Sequence, residues 1–484
     1  MVRTWFAISI IILASSPSRS QVELDIQPYI FKTNKGDSIH AEIGKFNVPE
    51  NRTKAESRKL NLKFIRFKST SKSPGYPIVY LAGGPGGSGI NAAKGDRIKL
   101  FQELRKIGDV IAFDQRGTGI SDGPPPYAGW WSFDPDKPTD REVVEKKIFE
   151  ETLRAAKYFE SQGVDLSGYN TNENADDLND LRIALGAEKI SLVSISYGTH
   201  LALTTLKRHE KVINKIVLAG VEGYDHTIKL PSDQQKLLEE IDRRLKTNPK
   251  YVQVFPNFLI DLEEVLKIAD EKPILTQTRN PMTGQTMDIK LGKFDLQMIF
   301  SWTLRGPDSF KGLPLLIKQI LSSDYSGLYD YALYTHIGRF RGMNMGMDVA
   351  SGISSQRYYR VNEEKNNTLL GDAINFPLLV QMNALKQLDL GEGFRNPYPS
   401  SVPVLCISGT LDGRTPPGNA EETLEYFDNG EHLIIDGAGH GDDLFLSSPM
   451  ILKNITGFFL DHELSFEKIT LEPVEFDLPE KLKE

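Results

Sequence analysis

Six short runs along the chain are almost wholly apolar: YPIVYLAGG (76–84), DVIAFDQRG (109–117), KISLVSISYG (189–198), NKIVLAGVEG (214–223), VPVLCISGT (402–410) and EHLIIDGAG (431–439). Runs of this kind suit strands covered on both faces, as in a parallel sheet between helix layers. Amphipathic stretches such as ADDLNDLRIALG (175–186) separate them, and MILKNITGFFLDH closes the series. Before residue 70 the pattern differs. IHAEIGKFNV and LNLKFIRFKS alternate apolar and polar positions, which predicts half-exposed antiparallel strands. The whole predicts an α/β fold, a mostly parallel central sheet flanked by helices.

The alternation is interrupted once. Residues 225–400 carry helical patterns such as DQQKLLEEIDRRL and few buried-strand runs, so they predict a large, mainly helical cap inserted between core strands. The expected organisation is a leader at 1–20, core at 21–224, cap at 225–400, core again at 401–462 and a tail at 463–484 that reads as an edge segment or loose terminus. The leader has a short basic start, an apolar run from Trp5 to Ala14 and a small polar exit, the pattern of a cleaved export signal, which places the protein outside the cytoplasm, in a periplasm or the exterior. Its apolar run is short for a bilayer span, so no membrane-spanning segment is expected after cleavage.

Composition narrows the function classes. The net charge of -8 gives no support to nucleic-acid binding. The single cysteine, Cys406, excludes an intrachain disulfide and reads as a small buried hydrophobe. Asn51, Asn366 and Asn454 stand in N-x-Thr sequons that read as chance occurrences.

The chemistry is concentrated at the ends of the apolar runs. Ser196 lies between a strand pattern and a helix pattern in SISYG, where a serine is held strained and exposed above the sheet. The first glycine of the usual G-x-S-x-G is Ser194 here, a small residue that still lets helix pass close to strand. His440, in the glycine-rich loop DGAGHG, is the candidate general base. Two acids follow strands in the right chain order, Asp412 and Asp225; Asp412 is preferred because the strand leading to His440 comes next. The loop AGGPGGSG (82–89) follows a strand and allows close backbone approach, so the Gly84 and Tyr197 amides are the candidate oxyanion donors. It lacks the Lys and Ser/Thr of a phosphate-binding loop. In DQRGTG, Asp114 and Arg116 read as a buried structural pair.

Together these motifs resemble the α/β-hydrolase superfamily and, within it, the proline iminopeptidase and tripeptidyl aminopeptidase family: GGPGGSG, DQRGTG, SISYG, LDGRTP and GAGHG occur in that family's order between about residues 76 and 460. The resemblance implies a serine exopeptidase with no metal and no cofactor, releasing a residue or short peptide from a free N-terminus. Ala82, where proline iminopeptidases often carry histidine, and the long cap are more similar to the larger tripeptidyl-aminopeptidase members. An aminopeptidase must hold a substrate ammonium, and Glu222, at the entrance to the cap, is the candidate carboxylate. The same machinery would serve a carboxylesterase acting on small esters, and a non-catalytic binding protein on a hydrolase fold is a more distant alternative. Oligomeric state is not legible in the sequence.

Overall fold

The computed structural model describes residues 23–127, 129–280, 283–340, 342–464 and 469–480, so the leader lies outside the described residues. Ten strands form one sheet: β1 (Leu24–Lys32), β2 (Ser38–Pro49), β3 (Lys59–Phe67), β4 (Ile78–Leu81), β5 (Val110–Asp114), β6 (Ile190–Ser196), β7 (Ile213–Val221), β8 (Val404–Gly409), β9 (Gly430–Asp436) and β10 (Ile469–Thr470). Their spatial order is β1-β2-β3-β5-β4-β6-β7-β8-β9-β10. The alternating N-terminal strands β1 to β3 pair antiparallel, with β3 antiparallel to β5, and every pairing from β5 onward is parallel. The continuous apolar runs therefore became the parallel strands, as expected from their burial on both faces.

Side chains along those strands divide between two cores. Val79, Leu81, Leu192, Ile216, Leu218, Val404 and Cys406 enter one face. Ile78, Tyr80, Val193, Ile195, Val217, Leu405 and Ile407 enter the other. A one-residue slip in any central strand would exchange the two sets, which pins the register. Register matters because it sets which loops meet above the sheet.

A third core lies within the cap, where Leu237, Leu238 and Ile241 of the helix Pro231–Thr247 pack with Phe258, Leu262 and Phe300. The tail is partly built into the fold: β10 extends the sheet beside β9, and Phe476 is buried against Tyr251 with ring centroids 5.4 Å apart. The cover over the sheet also draws on a stretch upstream of residue 225. Trp130–Ser132 pairs antiparallel with Ile337–Arg339, and the following helix α1 (Arg141–Ser161) packs on α6 (Leu378–Ala384). Between them in the chain lie α2 (Thr171–Ala184), α3 (Tyr197–His209), α4 (Pro231–Thr247) and α5 (Gly342–Ser351). Among the described residues, no helix is long and apolar enough to cross a membrane.

Candidate active site

Ser196 ends β6 and immediately precedes α3, with φ 57° and ψ -131°. A non-glycine residue in this region is strained by about 1–3 kcal/mol and persists where the surroundings over-determine it. Those surroundings are visible. A Cβ on Gly198 would stand 2.3 Å from the Leu81 carbonyl oxygen, so α3 starts pressed against β4. Ser194 is fully buried and donates its hydroxyl to the Val217 carbonyl at 2.9 Å, which explains how a serine replaces the elbow glycine without an orphaned polar group.

The register Leu81↔Ser194 carries the chain two residues on to bring Gly83 opposite Ser196. A Cβ on Gly83 would lie 2.7 Å from Ser196 Cβ and 3.3 Å from its Oγ, so only glycine admits the approach. The loop is closed by Gly87 N–H donating to the Gly83 carbonyl at 2.9 Å, and Gly84 has φ +125°. Among the described residues the Gly84 amide donates to no backbone carbonyl, and Tyr197 is the first residue of α3, where amides lack an intrahelical acceptor.

The DQRG segment holds this loop from behind. Asp114 accepts from Ser88 Oγ (2.6 Å), Ile90 N (3.1 Å) and Ile120 N (2.9 Å), and Gln115 donates to the Ala82 carbonyl (3.0 Å). The expected Asp114–Arg116 pair does not form. Arg116, fully buried, instead grips Asp177 of α2 through Nε and Nη2, both at 2.7 Å, and also donates to the carbonyl of Gly168. Its partner lies 61 residues along the chain, in a helix whose polar residues read as solvent-facing.

Asp412 and His440 follow β8 and β9 and meet at 2.8 Å between Oδ2 and Nδ1. Asp412 is fully enclosed by partners: Oδ1 accepts from the amides of Arg414 (2.7 Å) and Thr415 (2.8 Å), and Oδ2 also accepts from Thr415 Oγ1 (2.7 Å). Burial alone would raise this carboxyl, but the imidazole and the Thr415 hydrogen bonds outweigh it and hold Asp412 below its ordinary value. The Thr415 hydroxyl lies 3.0 Å from His440 Nδ1 as well, a second contact that fixes the ring. Gly220, φ +58° and next to the β6–β7 register shift at Ser196, makes room for that ring: a Cβ there would stand 3.3 Å from His440 Cε1.

Asp225, the other acid considered, lies elsewhere. Its carboxylate accepts the amide of Ser354, the N-cap residue of the helix Ser355–Glu364. Glu222 follows β7; it is buried, and its Oε2 is ion-paired with Lys229 Nζ at 2.6 Å. Burial would raise Glu222, yet Lys229, helped by His200 and His226, holds it below its ordinary value.

Two features of the structure escaped the sequence. The cap segment Leu304–Gly306 is wedged between the acid and base loops: the Arg305 carbonyl accepts from His440 N at 2.9 Å, and a Cβ on Gly413 would lie 2.0 Å from the Leu304 carbonyl oxygen. Glycines at 306, 413 and 439 in close contact are the only signal that could have found it. The second is Asp348 on α5, whose carboxyl is raised by burial and by the charge of Glu222. Among the described residues no His/Cys/Asp/Glu group is arranged to hold a metal ion.

A sequence profile for the alpha/beta hydrolase fold matches residues 76–286, and a second, for TAP-like protein, matches residues 392–467. The chain is 30% identical over 190 residues to serine protease Hip1 of Mycobacterium tuberculosis, covering 37% of this chain and 36% of that protein. It is 29% identical over 171 residues to the tripeptidyl aminopeptidase of Streptomyces lividans, covering 33% and 31%. These matches span about a third of each relative's length. A proline iminopeptidase-related protein of Thermus thermophilus superposes with a TM-score of 0.38 at 18% identity, over 87% of this chain and 97% of that one. Strand order and profile agree on an alpha/beta hydrolase fold.

Proposed function

We propose that the protein is an exported serine hydrolase of aminopeptidase type, removing an N-terminal residue or short peptide through Ser196, His440 and Asp412. The observation that carries this reading is the 2.8 Å Asp412–His440 pair, whose ring packs on Gly220 next to the strand end where Ser196 is strained to φ 57°. The relatives' names, a serine protease and a tripeptidyl aminopeptidase, support the peptidase class.

In the reaction, Ser196 Oγ attacks the scissile carbonyl while His440 Nε2 removes its proton. The imidazolium that forms carries its Nδ1 proton toward Asp412, whose charge stabilises it. The tetrahedral oxyanion is met by the Gly84 and Tyr197 amides, which need no reorganisation at the moment of reaction. His440 then protonates the leaving amine, and a water activated by the same ring releases the acyl group. The leader at 1–20 supports export, and the substrate is a peptide with a free amino terminus.

Fluorophosphonate labelling of the wild type and of Ser196→Ala tests the nucleophile. We expect labelling of the wild type only, and a loss of turnover of about 10^5–10^6-fold in the variant. A panel of aminoacyl and tripeptidyl amides, their N-blocked forms and simple esters tests the class. Turnover of esters alone would establish the carboxylesterase, and an unlabelled wild type would establish the non-catalytic binding protein.

A further inference from the structure

We propose that the cap seats the catalytic base: the segment Leu304–Gly306 is a positioning element for His440, so that the sheet and its loops set the nucleophile while sheet and cap together set the base; this rests on the Ser196–His440–Asp412 reading above. The loop that carries His440 changes its holder at that residue. Gly437 N donates to Thr410 Oγ1 and Gly439 N to Asp443 Oδ2, each at 2.9 Å and each within the core. His440 N donates to the Arg305 carbonyl of the cap, at 2.9 Å.

The contact is close on both sides. A Cβ on Gly306 would stand 3.0 Å from Gly439 Cα and 3.3 Å from His440 N. A Cβ on Gly439 would stand 2.5 Å from Gly306 Cα and 2.7 Å from Pro307 Cδ. Gly306 has φ 175°, extended backbone open to any residue, so its bare Cα answers to the approach alone. The acid loop rests on the same wedge. Leu411, the residue before Asp412, is buried in the cap core with Leu304 and Phe300, and a Cβ on Gly413 would meet the Leu304 carbonyl oxygen and, at 2.7 Å, Leu237 Cδ2 of α4.

The wedge is itself tied down. It leaves the helix Lys293–Thr303, whose Ser301 donates its hydroxyl to Gln234 Oε1 of α4 at 2.8 Å while Gln234 Nε2 donates to the Ser301 carbonyl at 3.0 Å. Both side chains are buried, where a reciprocal pair of this kind fixes one arrangement. Helix α4 reaches the base loop a second time: Arg244 donates to Asp436 Oδ1 at 3.1 Å, and that oxygen also accepts from Thr410 Oγ1 at 3.0 Å. Close-packed elements transmit displacement, so a shift of the cap at this edge moves the imidazole relative to Ser196. General-base catalysis depends on that separation.

The test is a cycle of Gly306→Ala and His440→Ala, read as the rate of fluorophosphonate labelling and as steady-state kinetics on whichever chromogenic amide or ester the wild type accepts. We expect Gly306→Ala to slow labelling and kcat by about 10–100-fold when His440 is present, with KM little changed. Beside His440→Ala it should cost nothing more, since residues that act as a unit are not additive. Ile320→Val, a truncation in the cap helix Leu313–Leu321 away from the wedge, should stay within about twofold, because sites that share no partner act independently. Ser301→Ala touches neither catalytic loop and keeps the question open to experiment if the glycine variant does not fold: it should lose about two- to fivefold, again only when His440 is present. Equal losses in both backgrounds, no loss in either, or a matching loss in Ile320→Val would overturn the inference and leave the nucleophile reading standing. A wild type that does not label would overturn both.

Discussion

The two walls of this site differ in how completely their polar groups are satisfied. In the wall made by the strand-end loops, Asp412 takes two amides, a hydroxyl and an imidazole, and the Arg305 carbonyl holds the His440 amide. On the cap side, Lys229 is paired with Glu222 at 2.6 Å, and Asp348 of α5 receives no hydrogen bond among the described residues. Chemistry that must run the same way each time calls for groups fixed before the substrate arrives. The sharpest way to break this comparison is to show that the closed wall tolerates loss.

Asp412→Asn should cost the most after removal of the nucleophile itself, about 10^4-fold in kcat, because the wrong imidazole tautomer is then held beside an isosteric side chain. Asp225→Asn, which changes only an acceptor for the Ser354 amide, should stay within about threefold, a surface-type effect by comparison. Steady-state kinetics on the two variants side by side decide it; equal losses would mean that the acid has been misassigned. Gly83→Ala comes next. Its methyl would meet Ser196 Cβ at 2.7 Å, so either the nucleophile or the oxyanion loop must move, and we expect a loss of about 10^2–10^3-fold with the protein still folded by circular dichroism.

The difference between the walls is also a difference in legibility. Ser196, Asp412, His440 and Gly84 were nameable because each follows an apolar run at a strand end, and small or glycine residues mark where backbone must approach closely. Asp348 had no such mark. It lies in GMNMGMDVAS, away from any apolar strand run, and Glu222 is more than a hundred residues away in the chain. Glu222 drew attention as an acid at the mouth of the cap, but its pairing with Lys229 depends on the turn between them, which periodicity does not encode. The fold shows the same division: the alternation of β1 to β3 and the parallel strands were readable from pattern, whereas Arg116 gripping Asp177 and the cap contribution of residues 130–161 are tertiary facts with no local signature.

A milder probe of the closed wall is Thr415→Val. The change keeps the shape and removes one buried hydroxyl that contacts both Asp412 Oδ2 and His440 Nδ1. Losing a hydrogen bond to a charged acceptor costs about 1.5–3 kcal/mol. The Asp412–His440 contact and two amides survive, so we expect a loss of roughly tenfold in kcat with KM little changed, read by steady-state kinetics. A loss as large as that of Asp412→Asn would show that the hydroxyl, and not the direct contact, orients the ring.

The smallest expected effect separates the walls by stability instead of rate. Asp348 keeps its proton in the folded protein to a pH well above the ordinary carboxyl value, because burial and Glu222 oppose its ionisation while Lys229 only partly relieves it. In the unfolded chain it ionises near pH 3.9. Below that pH both states are protonated and the group contributes no difference. As pH rises the unfolded state loses the proton first, so wild-type stability falls from about pH 3.9 upward until the folded carboxyl also ionises. Asp348→Asn removes that drain without removing a hydrogen bond. At pH 7 to 8, with no substrate present, the variant should melt about 1–2 °C higher than the wild type, and the gap should close as pH approaches 4. Glu222 shifts in the opposite direction, so the informative quantity is the difference between the two proteins, measured by differential scanning calorimetry across that range. A variant that melts lower at pH 8, or a gap that ignores pH, would mean that Asp348 is already satisfied within the folded chain and that the cap wall is as closed as the one beneath it.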